Sequence, residues 1–266
     1  MLNSIPRQKL KNFLPRPVFD ALFNLKYLGK KKVPNHDIYV RHITQKHGIE
    51  IGGPSTLFRT SLPLYQSAQR LDGVNFSQST VWEGEIKEGL TYNFFGNKKG
   101  TQFISDGSDL SQIKDDTYDF VLSSNCLEHI ANPLKALSEW KRILKNDGHL
   151  ILVLPNKASN FDHRRPTTSF DHLLEDFNSN MPETDLTHLD EILALHDLSR
   201  DPPAGDAESF KRRSLDNFSN RTLHHHVFDL DVMTEMVEFL GFDAVQKDET
   251  SSDFIILATK KATKDH

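Results

Sequence analysis

Apolar segments of strand length alternate with polar and amphipathic segments between residues 48 and 155. Five of the apolar segments are predicted to be strands, over residues 48–51, 71–77, 102–105, 119–123 and 149–154. Strands that alternate with helical segments and short turns are typical of βαβ units, which build a parallel sheet. The pattern therefore predicts an α/β domain with an open, mostly parallel sheet.

The clearest predicted helix follows the fourth strand. Asn132 is a favourable N-cap, and Pro133 suits the first helical position because its missing N–H would have no partner there. Apolar residues then recur at helical spacing, at Leu134, Leu137, Trp140, Ile143 and Leu144. This spacing buries one face of the helix, and we expect residues 146–148 to end it.

The alternation stops after Pro155. Residues 156–226 are rich in His, Asp, Arg and Pro, with short helical pieces predicted near 168–178 and 186–197. We interpret this segment as an insertion that forms a substrate lid.

Regular structure resumes after the insertion. A helix is predicted over residues 228–240, followed by strands over 243–247 and 253–259. Their connector is too short for a parallel crossover, so these two strands should be antiparallel. The predicted organisation is a basic N-terminal extension (residues 1–41) and one domain (residues 42–262) that carries the insertion.

Composition sets limits on partners. The chain of 266 residues has a net charge of −5 and a mean hydropathy of −0.51, so its overall charge gives no reason to expect nucleic-acid binding. Residues 1–41 are different, with nine Lys and Arg against two Asp. This basic segment could make peripheral contact with an anionic membrane surface, or pack as a helix on the domain.

Location is also suggested by composition. Cys126 is the single cysteine, which excludes an intrachain disulfide and fits the cytoplasm. The sequence shows no apolar segment of transmembrane length and no signal-peptide pattern. We expect a cytoplasmic protein.

Two polar turns follow predicted strands. Glu50-Ile-Gly-Gly-Pro-Ser55 follows the first strand, and Ser124-Asn-Cys-Leu-Glu-His129 follows the fourth. Ligands of open parallel sheets bind at the carboxyl ends of the strands, so both turns should border one crevice. The G-x-G-x-x-G dinucleotide fingerprint cannot be aligned with the glycine turn.

Together these segments resemble the class I S-adenosylmethionine-dependent methyltransferases. The glycine turn is similar to their first motif, Ser105-Asp106-Gly107 to the acidic end of their third strand, and residues 118–155 to their fourth strand, helix and fifth strand. The resemblance implies a doubly wound, Rossmann-like seven-stranded sheet with an antiparallel last strand. It also implies S-adenosyl-L-methionine as cofactor, bound by Glu50, Gly52, Gly53, Pro54, Ser55, Asn75, Asp106, Gly107, Ser124 and Asn125.

Two features depart from that family's pattern. Pro54 and Thr56 occupy positions where the family usually has further glycines. The second strand lacks a terminal acidic residue for the ribose, which leaves Asp72 or Asn75 within reach, and Asn75 is our assignment.

The acceptor chemistry is inferred from histidines. His129 and His163 are candidate catalytic bases because imidazole can take a proton from a hydroxyl group near neutral pH; His129 could instead pack on the cofactor edge. We expect Arg164, Arg165, His188 and His225 to bind the substrate, although the two arginines could equally pair with acidic residues of the insertion. A divalent metal is an open alternative, since His188 and Glu191 have a usable spacing, but we assign no metal ligand.

The sequence thus predicts O-methylation of a small molecule or a sugar. A non-catalytic cofactor-binding or scaffold protein is the main alternative, supported by the unusual glycine motif. A nicotinamide-dependent oxidoreductase and a metal-dependent hydrolase built on the insertion are further alternatives.

Overall fold

The computed structural model describes residues 29–262, and a large β-sheet forms their centre. The strands are β1 (His47–Ile51), β2 (Arg70–Asn75), β3 (Ser79–Thr80), β4 (Gly84–Glu85), β5 (Gly89–Phe95), β6 (Lys98–Ile104), β7 (Tyr118–Ser124), β8 (Leu144–Pro155), β9 (Phe242–Glu249) and β10 (Asp253–Lys260). All but β3 and β4, which form a small hairpin, belong to one eight-stranded sheet in the order β5-β6-β2-β1-β7-β8-β10-β9.

The sheet is mostly parallel, as predicted. β6, β2, β1, β7 and β8 are parallel neighbours, whereas β10 runs antiparallel to both β8 and β9. The sheet has one strand more than expected, because β5 adds to the edge of β6 in antiparallel direction. The sequence from Gly89 to Phe95 was not assigned as a strand, yet Tyr92 and Phe94 alternate with more exposed neighbours and are buried.

Helices cover both faces of the sheet. They are α1 (His36–Ile43), α2 (Pro133–Ile143), α3 (Phe170–Asn178), α4 (Leu189–Leu195), α5 (Ala207–Leu215), α6 (Asn217–Asn220) and α7 (Leu230–Phe239). Successive residues of a strand point to opposite faces, and in β10 Ile256 joins the core beneath α2 and α7 while Ile255 and Leu257 join the core on the α1 side.

The helix α2 begins as predicted but ends earlier. The side-chain oxygen of Asn132 accepts a hydrogen bond from the N–H of Lys135, and Pro133 is the first helical residue. The helix ends at Ile143 rather than at residues 146–148, because Leu144 already pairs with Tyr118 of β7 and starts β8.

Residues 156–229 connect β8 to α7 and contain α3, α4, α5 and α6. The first two of these helices lie where the sequence predicted helical pieces. The segment has a small apolar cluster of its own, which consists of Ile192, Ala204, Phe210 and Leu223. It also packs on the domain, since α3 contacts α2 and α7.

Most of the predicted basic extension, and its proposed membrane contact, lies outside the described residues. Residue 41, the expected end of that extension, lies inside α1, whose Tyr39 and Ile43 are buried against the sheet. Between residues 29 and 262, no helix is long and apolar enough to cross a bilayer.

Candidate functional site

A cavity of about 700 Å³ lies at the carboxyl ends of the central strands. In the sheet, β1 lies between β2 and β7. The strand order reverses at β1, and open parallel sheets bind their ligands at such a switch point. The volume falls within the range of about 300 to 1,000 Å³ that is common for small-molecule sites.

Nine of the predicted site residues line this cavity. They are Gly52, Pro54, Ser55, Asn75, Asp106, Gly107, Ser124, Asn125 and His129. These residues lie at the carboxyl ends of β2 and β7 or in the turns after β1, β6 and β7, so the sheet brings together segments that are more than 70 residues apart in sequence.

Gly52 brings the backbone to the edge of the cavity. Its φ of +79° favours glycine, and its N–H donates to the carbonyl oxygen of Val74 over 2.9 Å. A Cβ at this position would lie 2.5 Å from the Sγ atom of Cys126. The turn after β7 can therefore approach Gly52 this closely only because that residue has no side chain.

Glu50 lies behind this turn rather than in the cavity. The hydroxyl groups of Tyr65 and Tyr92 donate to its Oε2 atom over 2.6 and 2.5 Å, and the N–H of Ser55 donates to Oε1 over 3.0 Å. Gly53 also lies on this side, since a Cβ there would be 2.2 Å from the Glu50 carboxyl carbon. In this structure Glu50 holds the shape of the turn.

Burial raises the pKa of Glu50 to about 7, although its hydrogen bonds act in the opposite direction. We expect Glu50→Gln to gain stability relative to wild type as the pH increases. The unfolded carboxyl group loses its proton near pH 4.5 and the folded one near pH 7, so this group's contribution is complete below pH 4.5 and is lost as the pH rises through 7. Glutamine does not titrate in this range. The unfolding free energy of the variant relative to wild type should therefore increase by about 2 kcal/mol between about pH 5 and pH 8.

Urea denaturation of both proteins at the two pH values measures this shift. Glu88→Gln, which changes an exposed side chain, is the matched control and should show no comparable change. An equal wild-type-to-variant difference at both pH values would contradict the raised pKa of Glu50.

Asn75, rather than Asp72, faces the cavity at the end of β2. The side-chain amide of Asn75 donates to the carbonyl oxygen of Gly53 over 3.0 Å and so ties β2 to the glycine turn. Asp72 is buried elsewhere, with its carboxylate bound by the hydroxyl group of Tyr118 and the side chain of Arg70.

Asp106 lies at the end of β6 and is held by an arginine from the insertion. Arg221 donates to its Oδ2 atom over 2.9 Å, and Ser108 donates to Oδ1. Arg221 also pairs with Glu183 and lies over the ring of Phe76, 5.5 Å from its centroid. Both oxygens of Asp106 therefore have partners.

His129 lines the cavity at the end of the turn after β7. Its Nδ1 atom lies 3.1 Å from the carbonyl oxygen of Leu223, and its ring contacts the rings of His224 and Trp82. Burial, and then the neighbouring His224, lower the pKa of His129 well below its usual value. The imidazole is consequently neutral near pH 7.

Glu128 and His224 complete a cluster with His129. One potential ligand atom from each residue lies within 4.8 Å of the other two. The Nδ1 atom of His224 is 2.6 Å from Asp162, whose charge raises the pKa of His224 against the effect of burial. Burial raises the pKa of Glu128 to about 7, and its Oε2 atom has no hydrogen-bond partner among residues 29–262.

His163 and Arg164 do not reach the cavity. The Nε2 atom of His163 is 2.9 Å from Asp197, and Arg164 donates to the same carboxylate over 3.2 Å. The structure thus removes His163 from the candidate bases and gives both residues an ion-pairing role outside the site.

Arg165 is buried and serves the architecture of the insertion. Its guanidinium group binds Asp162 and Glu191 and donates to the carbonyl oxygens of His224 and His225 over 2.8 and 3.0 Å. Both arginines thus pair with acidic residues of the insertion, Arg164 with Asp197 and Arg165 with Asp162 and Glu191.

His188 and His225 also lie away from the cavity. His188 contacts His172, with 3.0 Å between their Nε2 atoms. His225 is fully buried and has its Nε2 atom 3.1 Å from the side-chain nitrogen of Asn217. Glu191, whose spacing from His188 would suit a shared metal ion, binds Arg165 instead.

Several cavity residues were missed from the sequence. They include Trp82, Glu83, Glu128, Phe161, Arg221 and His224. The His224-His225-His226 run was noticeable, but the sequence does not say which histidine faces the cavity. For Arg221 there was no signal at all, since only the folded insertion brings it to Asp106.

Parts of the chain are similar to known proteins. A family model described as a methyltransferase domain matches residues 59–152. Two uncharacterized proteins of Methanocaldococcus jannaschii are 61% identical over 47 residues and 30% identical over 119 residues. These segments cover 18% and 45% of this chain, and only 20% and 49% of the two relatives.

Several solved structures are similar to this chain at low sequence identity. The structure of an S-adenosylmethionine-dependent methyltransferase from Mesorhizobium loti has a TM-score of 0.50 and 12% identity, over 85% of this chain and 96% of that one. A putative methyltransferase of Haloferax volcanii, solved with the Trm112 activator, has a TM-score of 0.48 and 13% identity over 94% and 99% of the chains.

Proposed function

We propose that this chain, whose residues 59–152 match a methyltransferase domain, is a class I S-adenosylmethionine-dependent methyltransferase that methylates an oxygen atom of a small-molecule or sugar acceptor, with His129 as the proton acceptor. S-adenosylmethionine is the cofactor. When bound, it supplies an activated methyl group on a sulfonium centre.

The observation that carries this proposal is the state of the His129 ring. A carbonyl oxygen can only accept a hydrogen bond, so the contact with Leu223 assigns the ring proton to Nδ1. The lowered pKa keeps the ring neutral. Its Nε2 atom therefore retains a lone pair that can accept the proton of a hydroxyl group, which is what general-base catalysis requires.

The surroundings of His129 act in both directions on the charge that it would gain. A proton on Nε2 makes the ring an imidazolium, which burial and the neighbouring His224 disfavour, whereas the carbonyl oxygen of Leu223 and the charge of Asp162 favour it. The buried carboxyl group of Glu128 belongs to the same cluster and would compensate that charge when it is ionised.

The residues present fit the cofactor. The backbone of Gly52 and the residues Asn75 and Asp106 line the same cavity, and the missing side chain of Gly52 lets the turns after β1 and β7 lie close together at its edge. By resemblance to the family, the glycine turn would hold the methionine part, Asn75 the ribose, and Asp106 the adenine.

The acceptor would occupy the part of the cavity near His129. Trp82, Phe76 and Phe161 line the cavity together with polar groups of Asn160 and Ser159. Aromatic faces beside a few polar groups are typical of small-molecule sites. These side chains can orient a hydroxylated acceptor and exclude water from the reaction.

Calorimetric titration with S-adenosylmethionine, followed by a turnover assay, tests the proposal. We expect binding with a Kd on the order of micromolar and release of S-adenosylhomocysteine when a panel of sugars, phenols and hydroxy acids is supplied. Methyl transfer to amines but to none of the hydroxyl compounds would contradict the O-methylation proposal.

One observation favours the non-catalytic alternative as a second candidate. Both oxygens of Asp106 are bound by Arg221 and Ser108, and Glu50 is bound by two tyrosines. Two carboxylates that were expected to bind the cofactor therefore already have partners within the protein. The absence of cofactor binding would exclude the methyltransferase proposal and support a scaffold role. Binding of the cofactor without turnover on any acceptor class would support a non-catalytic cofactor-binding role.

A further inference from the structure

A second histidine cluster lies in the insertion, outside the cavity. His172 and Asp176 project from one face of α3, His188 immediately precedes α4, and His226 precedes α7. One nitrogen or oxygen atom from each of these four residues lies within 4.8 Å of the other three. Asp176 and His226 are buried, and the other two are partly buried.

The distances within this cluster are those between ligands that share an ion. The Nε2 atoms of His172 and His188 are 3.0 Å apart, and the Oδ2 atom of Asp176 lies 2.9 Å from Nε2 of His226 and 3.4 Å from Nε2 of His172. A tetrahedral zinc ion with bonds of about 2.0 to 2.1 Å separates its ligands by about 3.3 Å.

Hydrogen bonds alone account poorly for this arrangement. The Nε2 atom of His172 faces both His188 and Asp176, yet a neutral imidazole carries at most one hydrogen on that atom. If that hydrogen is absent, the lone pair of the nitrogen faces a carboxylate oxygen. A cation at the centre would instead accept a lone pair from every one of the four groups.

We propose that His172, Asp176, His188 and His226 bind one Zn²⁺ ion. Three imidazoles and one carboxylate, without a thiolate, suit a divalent metal that prefers nitrogen and oxygen ligands. Four protein ligands fill a tetrahedral site and leave no position for substrate, which is the pattern of a structural zinc.

The place of the cluster in the fold indicates what such an ion would do. It would connect α3, the beginning of α4 and the segment that leads into α7, three parts of the insertion that are distant in sequence. None of the four residues lines the cavity, but His224 and Arg221, which do, lie in the same segment as His226. The zinc ion would therefore hold in position the part of the insertion that lines the cavity.

Metal analysis of the purified full-length protein tests this proposal without any activity assay. Mass spectrometry of protein grown with added zinc and purified without chelators should give about one zinc per chain. Chelation followed by dialysis should lower the Tm by on the order of 10 °C, and one equivalent of zinc should restore it. Replacement by Co²⁺ should give the visible absorption of a tetrahedral site.

Variants locate the ion. His172→Ala and His188→Ala, which change partly buried side chains, should each lower the zinc content at least fivefold and remove the zinc-dependent Tm increase. His196→Ala is the matched control, a buried histidine of the insertion outside the cluster. His129→Ala tests the other candidate cluster, and both of these proteins should retain zinc.

Three results would overturn the proposal. One is wild-type protein that contains no metal and shows no Tm increase when Zn²⁺ is added. Another is zinc that persists in both His172→Ala and His188→Ala. The third is zinc that is lost in His129→Ala but not in the cluster variants, which would assign the ion to the cavity.

Discussion

Replacing His129 by alanine or glutamine should lower kcat about 100-fold or more while cofactor affinity changes less than about threefold. General-base catalysis is commonly worth 10²- to 10⁴-fold, and neither variant offers an imidazole nitrogen. The ring contacts Leu223, His224 and Trp82, none of which is assigned to the cofactor. Cofactor binding should therefore depend little on it.

His163→Ala is the control, because His163 pairs with Asp197 away from the cavity. Its turnover should match that of wild type. Burial and His224 lower the pKa of His129, so the ring becomes protonated only at a pH below the usual pKa of histidine. Protonation of His129 should therefore not reduce wild-type kcat until the pH falls below that value. Wild-type turnover in His129→Gln, with an acceptor that the native enzyme methylates, would exclude His129 as the base.

Much of the fold could be predicted from the sequence because each central strand has its own signal. Buried parallel strands are continuous apolar runs that end at polar turns, and those of β7 and β8 are unambiguous. The edge strand β5 lacks such a run. It was missed because only its alternate residues, Tyr92 and Phe94, are buried.

The place of several predicted residues in one cavity was predictable for the same reason. Gly52, Asn75, Asp106 and Ser124 lie at or just after the carboxyl ends of strands, so their place at one edge of the sheet follows from the topology. Glu50 has a different position because it belongs to the strand itself. Its side chain points into the core beneath the turn, where two tyrosine hydroxyls bind it.

The insertion could not be predicted to the same degree. It is rich in histidine, arginine and acidic residues, and each can pair with many others at long range in the sequence. His188 meets His172 and not Glu191, and Arg165 meets carbonyl groups some 60 residues away. Such pairs depend on how the short helices pack, and no local spacing encodes that packing.

Gly52→Ala should cost about 2 to 4 kcal/mol of unfolding free energy and weaken S-adenosylmethionine binding about tenfold or more. Two effects combine. The φ of +79° is unfavourable for any residue with a Cβ, and that Cβ would lie 2.5 Å from Sγ and 2.7 Å from Cβ of Cys126. Relief requires the turns after β1 and β7 to separate, which changes the cavity edge that both turns form.

Gly89→Ala separates these two effects. Gly89 also has a positive φ, of +96°, but its added Cβ would meet no atom within 4 Å. Gly89→Ala should lose only the unfolding free energy that the positive φ costs a residue with a Cβ, and its cofactor affinity should be unchanged. A double-mutant cycle with Cys126→Gly should recover the steric part in Gly52→Ala, because both clashing atoms are removed. If Gly52→Ala binds the cofactor as tightly as Gly89→Ala does, close backbone approach at Gly52 is not part of the site.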